Sequence, residues 1–318
     1  MEKFIPNAPL FQDPIYDGAA DPVVIWNHNE QAWWMFYTNR RASEINHGVS
    51  YMHGTKIGIA SSKDFGKTWI YRGSLDNLEF EPGTNTFWAP EIIFAQGQYH
   101  MYISYVRGIP NDWNCERHIL HYTSNNLWDW NFRGIIPLSS DRVIDACVFE
   151  VTPGKYKMWY KDEVNNSYTY SAESNDLYNW EVLGPEITDC PHEGPNVFYF
   201  QDTYWMITDP WCGLGVYRSE DACHWERKEN ILRIPGNRKD DGSIGAHADV
   251  VVNNNHAYIF YFTHPEVSEK ERHDENFKWE YRHRRSSIQV ANLIVEDSHL
   301  ICDRNNVRFS LMPPATEK

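Results

Sequence analysis

Residues 21–38, DPVVIWNHNEQAWWMFYT, decide the fold of this chain. A short apolar strand opens on Asp21, a polar turn follows, and an aromatic strand with rough period-two alternation returns, which together read as a β-hairpin. The same unit comes back four times. Its first strand recurs as APEIIFA from Ala89, DACVFEV from Asp145, GPNVFYF from Gly194 and ADVVVNN from Ala248. Its second recurs as YHMYISYV from Tyr99, KYKMWYK from Lys155, TYWMIT from Thr203 and HAYIFYFT from His256.

A third feature follows four of the hairpins: a Ser, a polar turn and a Trp. These are SKDFGKTW (Ser62–Trp69), SNNLWDW (Ser124–Trp130), SNDLYNW (Ser174–Trp180) and SEDACHW (Ser219–Trp225). Such a turn joins two outer strands and caps them. In the fifth unit SSIQVANLIVEDSHL, from Ser286, replaces it and still reads as two strands. Five units of about four strands predict an all-β, five-bladed β-propeller. A sandwich would not explain an ordered fivefold repeat. No long amphipathic helix interrupts the pattern, and residues 1–318 read as one propeller domain. The first 20 residues and the tail after Cys302 are left to close the ring, by a route the pattern does not give.

Composition narrows the function. The net charge of −15 argues against nucleic acid and against an anionic membrane surface as partners. No apolar run is long enough to span a bilayer. The opening MEKFIPNAPLFQD lacks the apolar core of a secretion signal, so a cytoplasmic location is expected, or a periplasmic one where a leader has been removed. The six cysteines show no CxxC pair and read as scattered buried thiols. Aromatic residues make up 15%, with 14 Trp and 19 Tyr; their faces suit sugars, but core packing is the commoner use.

In a propeller the first strand of each blade lines the channel, and the second returns to the same face. Two sets of residues therefore meet at one mouth. Strand starts bring Asp21, Glu91, Asp145, Glu193, His247 and Asp249; strand ends bring Thr38, Arg40, Arg41, Arg107, Lys161, Asp209 and His264. One such Asp is often a turn former. Several converging carboxylates repel and are costly to desolvate, so the set points to function.

Asp21-Pro22, Trp88-Ala89-Pro90-Glu91, Ile144-Asp145 and Glu193-Gly194-Pro195 resemble, in order, the blade motifs of glycoside hydrolase family 43. His192 before Glu193, and Phe36-Tyr37-Thr38-Asn39-Arg40-Arg41-Ala42, look like family 117, whose known members cleave α-1,3-linked 3,6-anhydro-L-galactose from neoagaro-oligosaccharides. The likeness implies an exo-acting, inverting glycosidase with an oligosaccharide substrate. An arabinofuranosidase or xylosidase of the family 43 type is the first alternative, and a non-catalytic sugar-binding propeller the second.

Inversion needs two carboxyls about 6.5–9.5 Å apart, with water between one of them and the sugar. The resemblance implies Asp21 as base, with Arg40 or Arg41 as its cation, and Asp145 as the residue that orients the acid. Glu193 is the preferred acid; His192 stands beside it, because the family 117 pattern gives that role to the histidine. Thr38, Trp88, Glu91 and Lys161 join Arg40 and Arg41 as substrate contacts. Related propellers place a His such as His247 near a central metal or its waters. A lone His is more often structural; a bound metal would be a hard cation, calcium or magnesium, rather than zinc. Family 117 uses a helical N-terminal extension in a swapped homodimer, whereas about 20 residues precede Asp21 here, so the oligomeric state stays open. The charged run Glu266–Arg285 breaks the repeat in blade five and should project from the rim as a lid, a partner contact or a solvated loop.

Overall fold

In a computed structural model of the chain, residues 3–44, 48–272, 274 and 277–314 are described. Every predicted hairpin forms, and each blade is a four-stranded antiparallel sheet of consecutive strands. Blade one holds β1 (Ala19–Asn27), β2 (Ala32–Asn39), β3 (Lys56–Ser62) and β4 (Ile70–Ser74). Blade two holds β5 (Thr86–Ala95), β6 (Gln98–Val106), β7 (His118–Ser124) and β8 (Asn131–Ile135). Blade three holds β9 (Val143–Thr152), β10 (Lys155–Asp162), β11 (Tyr168–Ser174) and β12 (Glu181–Ile187). Blade four holds β13 (Glu193–Tyr199), β14 (Tyr204–Asp209), β15 (Leu214–Ser219) and β16 (Glu226–Ile231). Blade five holds β17 (Ala246–Asn253), β18 (His256–Thr263), β19 (Ser287–Glu296) and β20 (His299–Asp303). The inner strands β1, β5, β9, β13 and β17 touch in a closed ring.

The Ser-to-Trp turns join the third and fourth strands, as expected. The Ser62, Ser124, Ser174 and Ser219 hydroxyls accept backbone N–H groups of Gly66, Leu127, Leu177 and Ala222, which ties each turn down. Trp34, Trp159 and Trp205, from the second strands, are fully buried in the core. Among the described residues no strand is exchanged between the first and last blades. The ring is instead latched by its terminal segments: Leu10 donates to the Ile288 carbonyl at 2.9 Å, Phe4 bridges to Phe309, and Leu311 donates to the Phe65 carbonyl at 2.8 Å.

One regularity escapes the strand pattern. All five inner strands carry a β-bulge near their start, at Asp21-Pro22, Ala89-Pro90, Asp145-Ala146, Gly194-Pro195 and His247. Asp21, Ala89, Asp145 and Gly194 have φ of 48°, 42°, 58° and 57°. Asp tolerates this left-handed region better than most residues, and a bulge re-aims its side chain. At Gly194 nothing larger fits, because an added Cβ would lie 2.8 Å from the His247 ring.

The blades are stitched together at these bulges. Ala89 N–H donates to the Thr38 hydroxyl at 2.8 Å, Asp145 N–H to the Ser104 hydroxyl at 2.9 Å, and His247 N–H to the Asp209 carboxylate at 2.9 Å. Two residues further down each inner strand a second ring repeats the device. Val148 N–H donates to Glu91, Val24 N–H to Asp249, and Val197 N–H to the Cys147 sulfur. Buried N–H groups that a bulge leaves without a ladder partner are thus satisfied by the neighbouring blade.

Candidate active site

The bulges aim into a cavity of about 470 Å³ at one mouth of the channel. Asp21, Asp145, Glu193 and His247 reach it from four inner strands, while Arg40, Lys161, Asp209 and His264 reach it from the ends of second strands. Asp21 is buried and held by Arg40, whose Nη2 lies 3.0 and 3.2 Å from its two oxygens. His247 Nδ1 stands 3.6 Å from Asp21 and 3.9 Å from Asp145. Asp145 also accepts the Gly194 N–H at 3.1 Å, which ties it to the residue after Glu193.

Glu193 stands at the mouth with 27% of its side chain exposed, and Lys161 donates to it at 3.1 Å. Lys161 lies equally close, at 3.1 Å, to Glu163, and Glu163 also pairs with Arg117. The result is an alternating chain, Glu193–Lys161–Glu163–Arg117.

These charges set the protonation states. Burial pushes Asp145 up to about 6, against the pull of His247. Burial and Glu193 push Asp209 up to about 7. Burial alone would also raise Glu193, but Lys161 and His247 outweigh it and hold that carboxyl below its usual range. On His247 burial works against the charge, yet Asp145, Asp21, Glu193 and Asp209 together keep the imidazole above its usual range. Burial and Arg40 push His264 down to about 3, so it stays neutral.

Four tryptophans line the cavity. Trp88 is buried, its Nε1 bonded to the Met52 carbonyl at 2.5 Å. Trp113, Trp211 and Trp279 are 47%, 43% and 39% exposed at the rim, with Arg117 over the Trp113 ring and Lys161 over the Trp211 ring. Trp279 belongs to the blade-five insertion, which lies between β18 and β19 and carries two short helical turns, α1 (Glu269–Arg272) and α2 (Tyr281–Arg284). Residues 273, 275 and 276 of that segment lie outside the described residues. The insertion is anchored by Arg285, which pairs with Asp17, Glu266 and Asp240.

Not every predicted residue reaches the cavity. His192 is fully buried, with one ring nitrogen 2.6 Å from the Thr169 hydroxyl and the other 2.8 Å from the Cys190 carbonyl. Neighbouring strand residues face opposite ways, and with Glu193 turned to the mouth, His192 is turned from it. Thr38 spends its hydroxyl on the bulge of blade two. Glu91 is buried in the second ring rather than at the sugar site, where burial and Asp249 push it up to about 8. Arg41 bonds the carbonyls of His53 and Ser50 and pairs with Glu44, as a loop clamp. Arg107 points to solvent, 79% exposed. Of the cysteines only Cys147 is buried; Cys212 and Cys223 are exposed and all six are free thiols.

Conversely, Trp113, Arg117, Glu163, Trp211, Arg272 and Trp279 line the cavity without having been singled out for it. Glu163 follows Lys161 by two residues and could have been read as its partner. The others lie in connecting segments or, for Arg272, in the single turn of α1, where no periodicity aims a side chain.

His247, expected near a metal, lies between Asp21 and Asp145, and the surrounding carboxyls outweigh burial and keep its imidazole above its usual range. Among the described residues, one group of His, Cys and acidic side chains gathers its ligand atoms within 4.8 Å: Asp189, Cys190 and His192. Its members are already engaged, Asp189 by Tyr217 and Arg227, and both His192 nitrogens as above. A larger groove, of about 950 Å³, runs between β16 and β20 at the outer edge, away from the inner strands.

Solved structures share this architecture. A thermostable family-43 glycoside hydrolase superposes with a TM-score of 0.67 at 20% identity, covering 96% of this chain and 100% of that one. The chain has the family-43 propeller fold. A compost-metagenome family-43 β-xylosidase/α-arabinofuranosidase, solved with xylotriose in a calcium-free form, gives a TM-score of 0.65 at 15% identity over 99% of this chain and 100% of that one. A family-43 β-1,3-galactosidase with galactodeoxynojirimycin gives 0.64 at 14% over 96% and 100%. No protein-family model and no curated protein matches the chain.

Proposed function

We propose that this propeller is an inverting, exo-acting glycoside hydrolase of the family-43 kind. The observation that carries the reading is the meeting of Asp21, Asp145 and Glu193, from three blades, in one cavity rimmed by partly exposed tryptophans. Asp21, whose two oxygens both accept from Arg40 Nη2, is the base that takes a proton from water. Glu193 is the acid that protonates the leaving oxygen. At rest Lys161 opposes that role by favouring the anion. Because Lys161 already touches Glu163, a small shift toward Glu163 as sugar displaces water would let Glu193 take up its proton. Asp145, bonded to the Gly194 N–H, sets where Glu193 begins. The insertion with Trp279 closes one side of the mouth, which favours attack at a chain end.

For the sugar, a pentoside of the xyloside or arabinofuranoside type is better supported than a neoagaro-oligosaccharide. The neoagaro reading gives the acid role to His192, and that side chain is buried away from the cavity. A hard divalent cation would suit the second ring, where the buried Asn196 Oδ1 has no partner and its Nδ2 holds Asp249 at 3.1 Å, with Glu91 near. Such an ion would neutralise those two carboxyls and stiffen the channel.

The test is a hydrolysis screen with aryl β-D-xyloside, aryl α-L-arabinofuranoside and neoagarobiose, with the released anomer followed by proton NMR. Pentose of inverted configuration is expected. Release of anhydrogalactose would overturn the sugar assignment, and retained configuration the mechanism.

A further inference from the structure

Among the described residues, each cation facing the cavity has a carboxylate partner except one. Arg40 holds Asp21, Arg117 holds Glu163, Lys161 bridges Glu163 and Glu193, and His247 lies between Asp21 and Asp145. Arg272, on α1 of the insertion, lines the same cavity half-buried. Its Nη2 donates to the buried Ser243 hydroxyl at 2.9 Å, and among the described residues no carboxylate lies within ion-pair distance. Ser243 fixes one edge of the guanidinium to the wall, and among the described residues the rest of the fork meets no acceptor.

A guanidinium withdrawn from water without a counter-charge is unfavourable, and burial does draw the Arg272 pKa downward, with Asp209 alone opposing. Asp209 is a poor counter-ion. Both its oxygens are engaged by backbone N–H groups, of Trp211 and His247, and it is itself largely able to take up a proton near neutrality. His264, nearby on the same wall, is neutral and cannot compensate either. The missing charge must come with the occupant.

We infer that the oligosaccharide cleaved in this cavity carries a carboxylate, as a uronic acid unit on the leaving-group side of the bond, and that Arg272 is its receptor. This rests on the glycosidase reading above and names the substrate class of that site. A planar fork with free donors matches a carboxylate in two-point fashion, which a neutral hydroxyl does not exploit. The placement on the insertion, beside Trp279 at the rim, fits a unit that leaves through the mouth. Binding energy collected there can be spent at the bond, so substrates that lack this unit should be turned over poorly.

The test uses matched oligosaccharides with a hexuronic acid next to the terminal sugar, before and after carbodiimide-activated borohydride reduction of the carboxyl to a neutral hexose. Kinetics are read on the whole protein, and binding by calorimetry on the Asp21→Asn variant. The acidic form should be favoured in kcat/KM and in Kd by on the order of ten- to a hundredfold, the scale of a charge-assisted contact. Arg272→Gln should bring that ratio to about one, and Arg272→Lys should keep part of it. Equal treatment of both forms by the unaltered protein would overturn the inference, and any turnover would leave the hydrolase reading standing. Tighter, Arg272-dependent binding of the acidic form without cleavage would keep the inference and sink the hydrolase reading. Arg272-dependent binding of inorganic phosphate with no preference between the sugars would overturn the uronate in favour of a free anion. No binding of either sugar would overturn both.

Discussion

The inner strands carry two acidic rings, two residues apart, and they behave differently. In the upper ring Asp21, Asp145 and Glu193 face a cavity and are matched by Arg40, His247 and Lys161. In the lower ring Glu91 and Asp249 are buried outside the cavity and are matched by N–H groups of the neighbouring blades. Both rings bury carboxyls, and burial raises several of them. Acid content alone therefore does not mark a site. Side-chain counter-charges beside an open volume do, because only there can a proton be passed to something else.

The sharpest way to break this contrast is at the upper ring. Asp21→Asn should lower kcat by roughly a hundredfold or more while Tm stays within a few degrees, as loss of a general base predicts. Steady-state kinetics beside thermal melts decide it, and a fully active variant would end the assignment.

A smaller effect separates the roles within that ring. Lys161 favours the Glu193 anion, and the acid must be protonated to work. Lys161→Met should therefore carry the alkaline limb of the kcat/KM profile upward by roughly one pH unit, the order of shift an adjacent charge gives. An unmoved limb would mean that Glu193 is not the acid.

The lower ring should answer in stability only. Burial raises Glu91 to about 8 and Asp249 to about 6 in the fold, against about 4 for carboxyls in the unfolded chain. The folded state thus binds more protons than the unfolded state between those values, so stability is greatest below them and is lost as pH rises through them. Tm should fall from about pH 5 to about pH 8. Glu91→Gln, which can keep the acceptor for Val148, should flatten the upper part of that fall and raise Tm at the alkaline end by a few degrees, with turnover little changed. A variant that melts lower at every pH would show the carboxylate to be needed as such.

Much of this was legible in the residues. The hairpin repeat gave the blades, and the polar residue opening each first strand gave Asp21, Asp145 and Glu193 at one mouth. Strand periodicity does not show bulges, so Glu91 looked equivalent to Asp21, although it lies one ring lower. The same blindness left Thr38 as a sugar contact, when its hydroxyl satisfies the bulge of the next blade. His192 and Glu193 could not be told apart by pattern, because the turn before β13 decides which of the two faces the mouth. Arg117 and Trp113 come from a connecting segment and Arg272 from the one-turn helix α1, where tertiary contacts and not periodicity place the side chains.

The latch has a mechanical meaning. A ring whose blades keep all their own strands is a split washer, and the split lies between blades one and five. Asp21 and Arg40 stand on one lip of that gap, His247 and His264 on the other, with Arg40 and His264 3.5 Å apart across it. The candidate site therefore straddles the same seam that the terminal contacts of Phe4, Leu10, Phe309 and Leu311 fasten, beside the direct packing of β1 on β17.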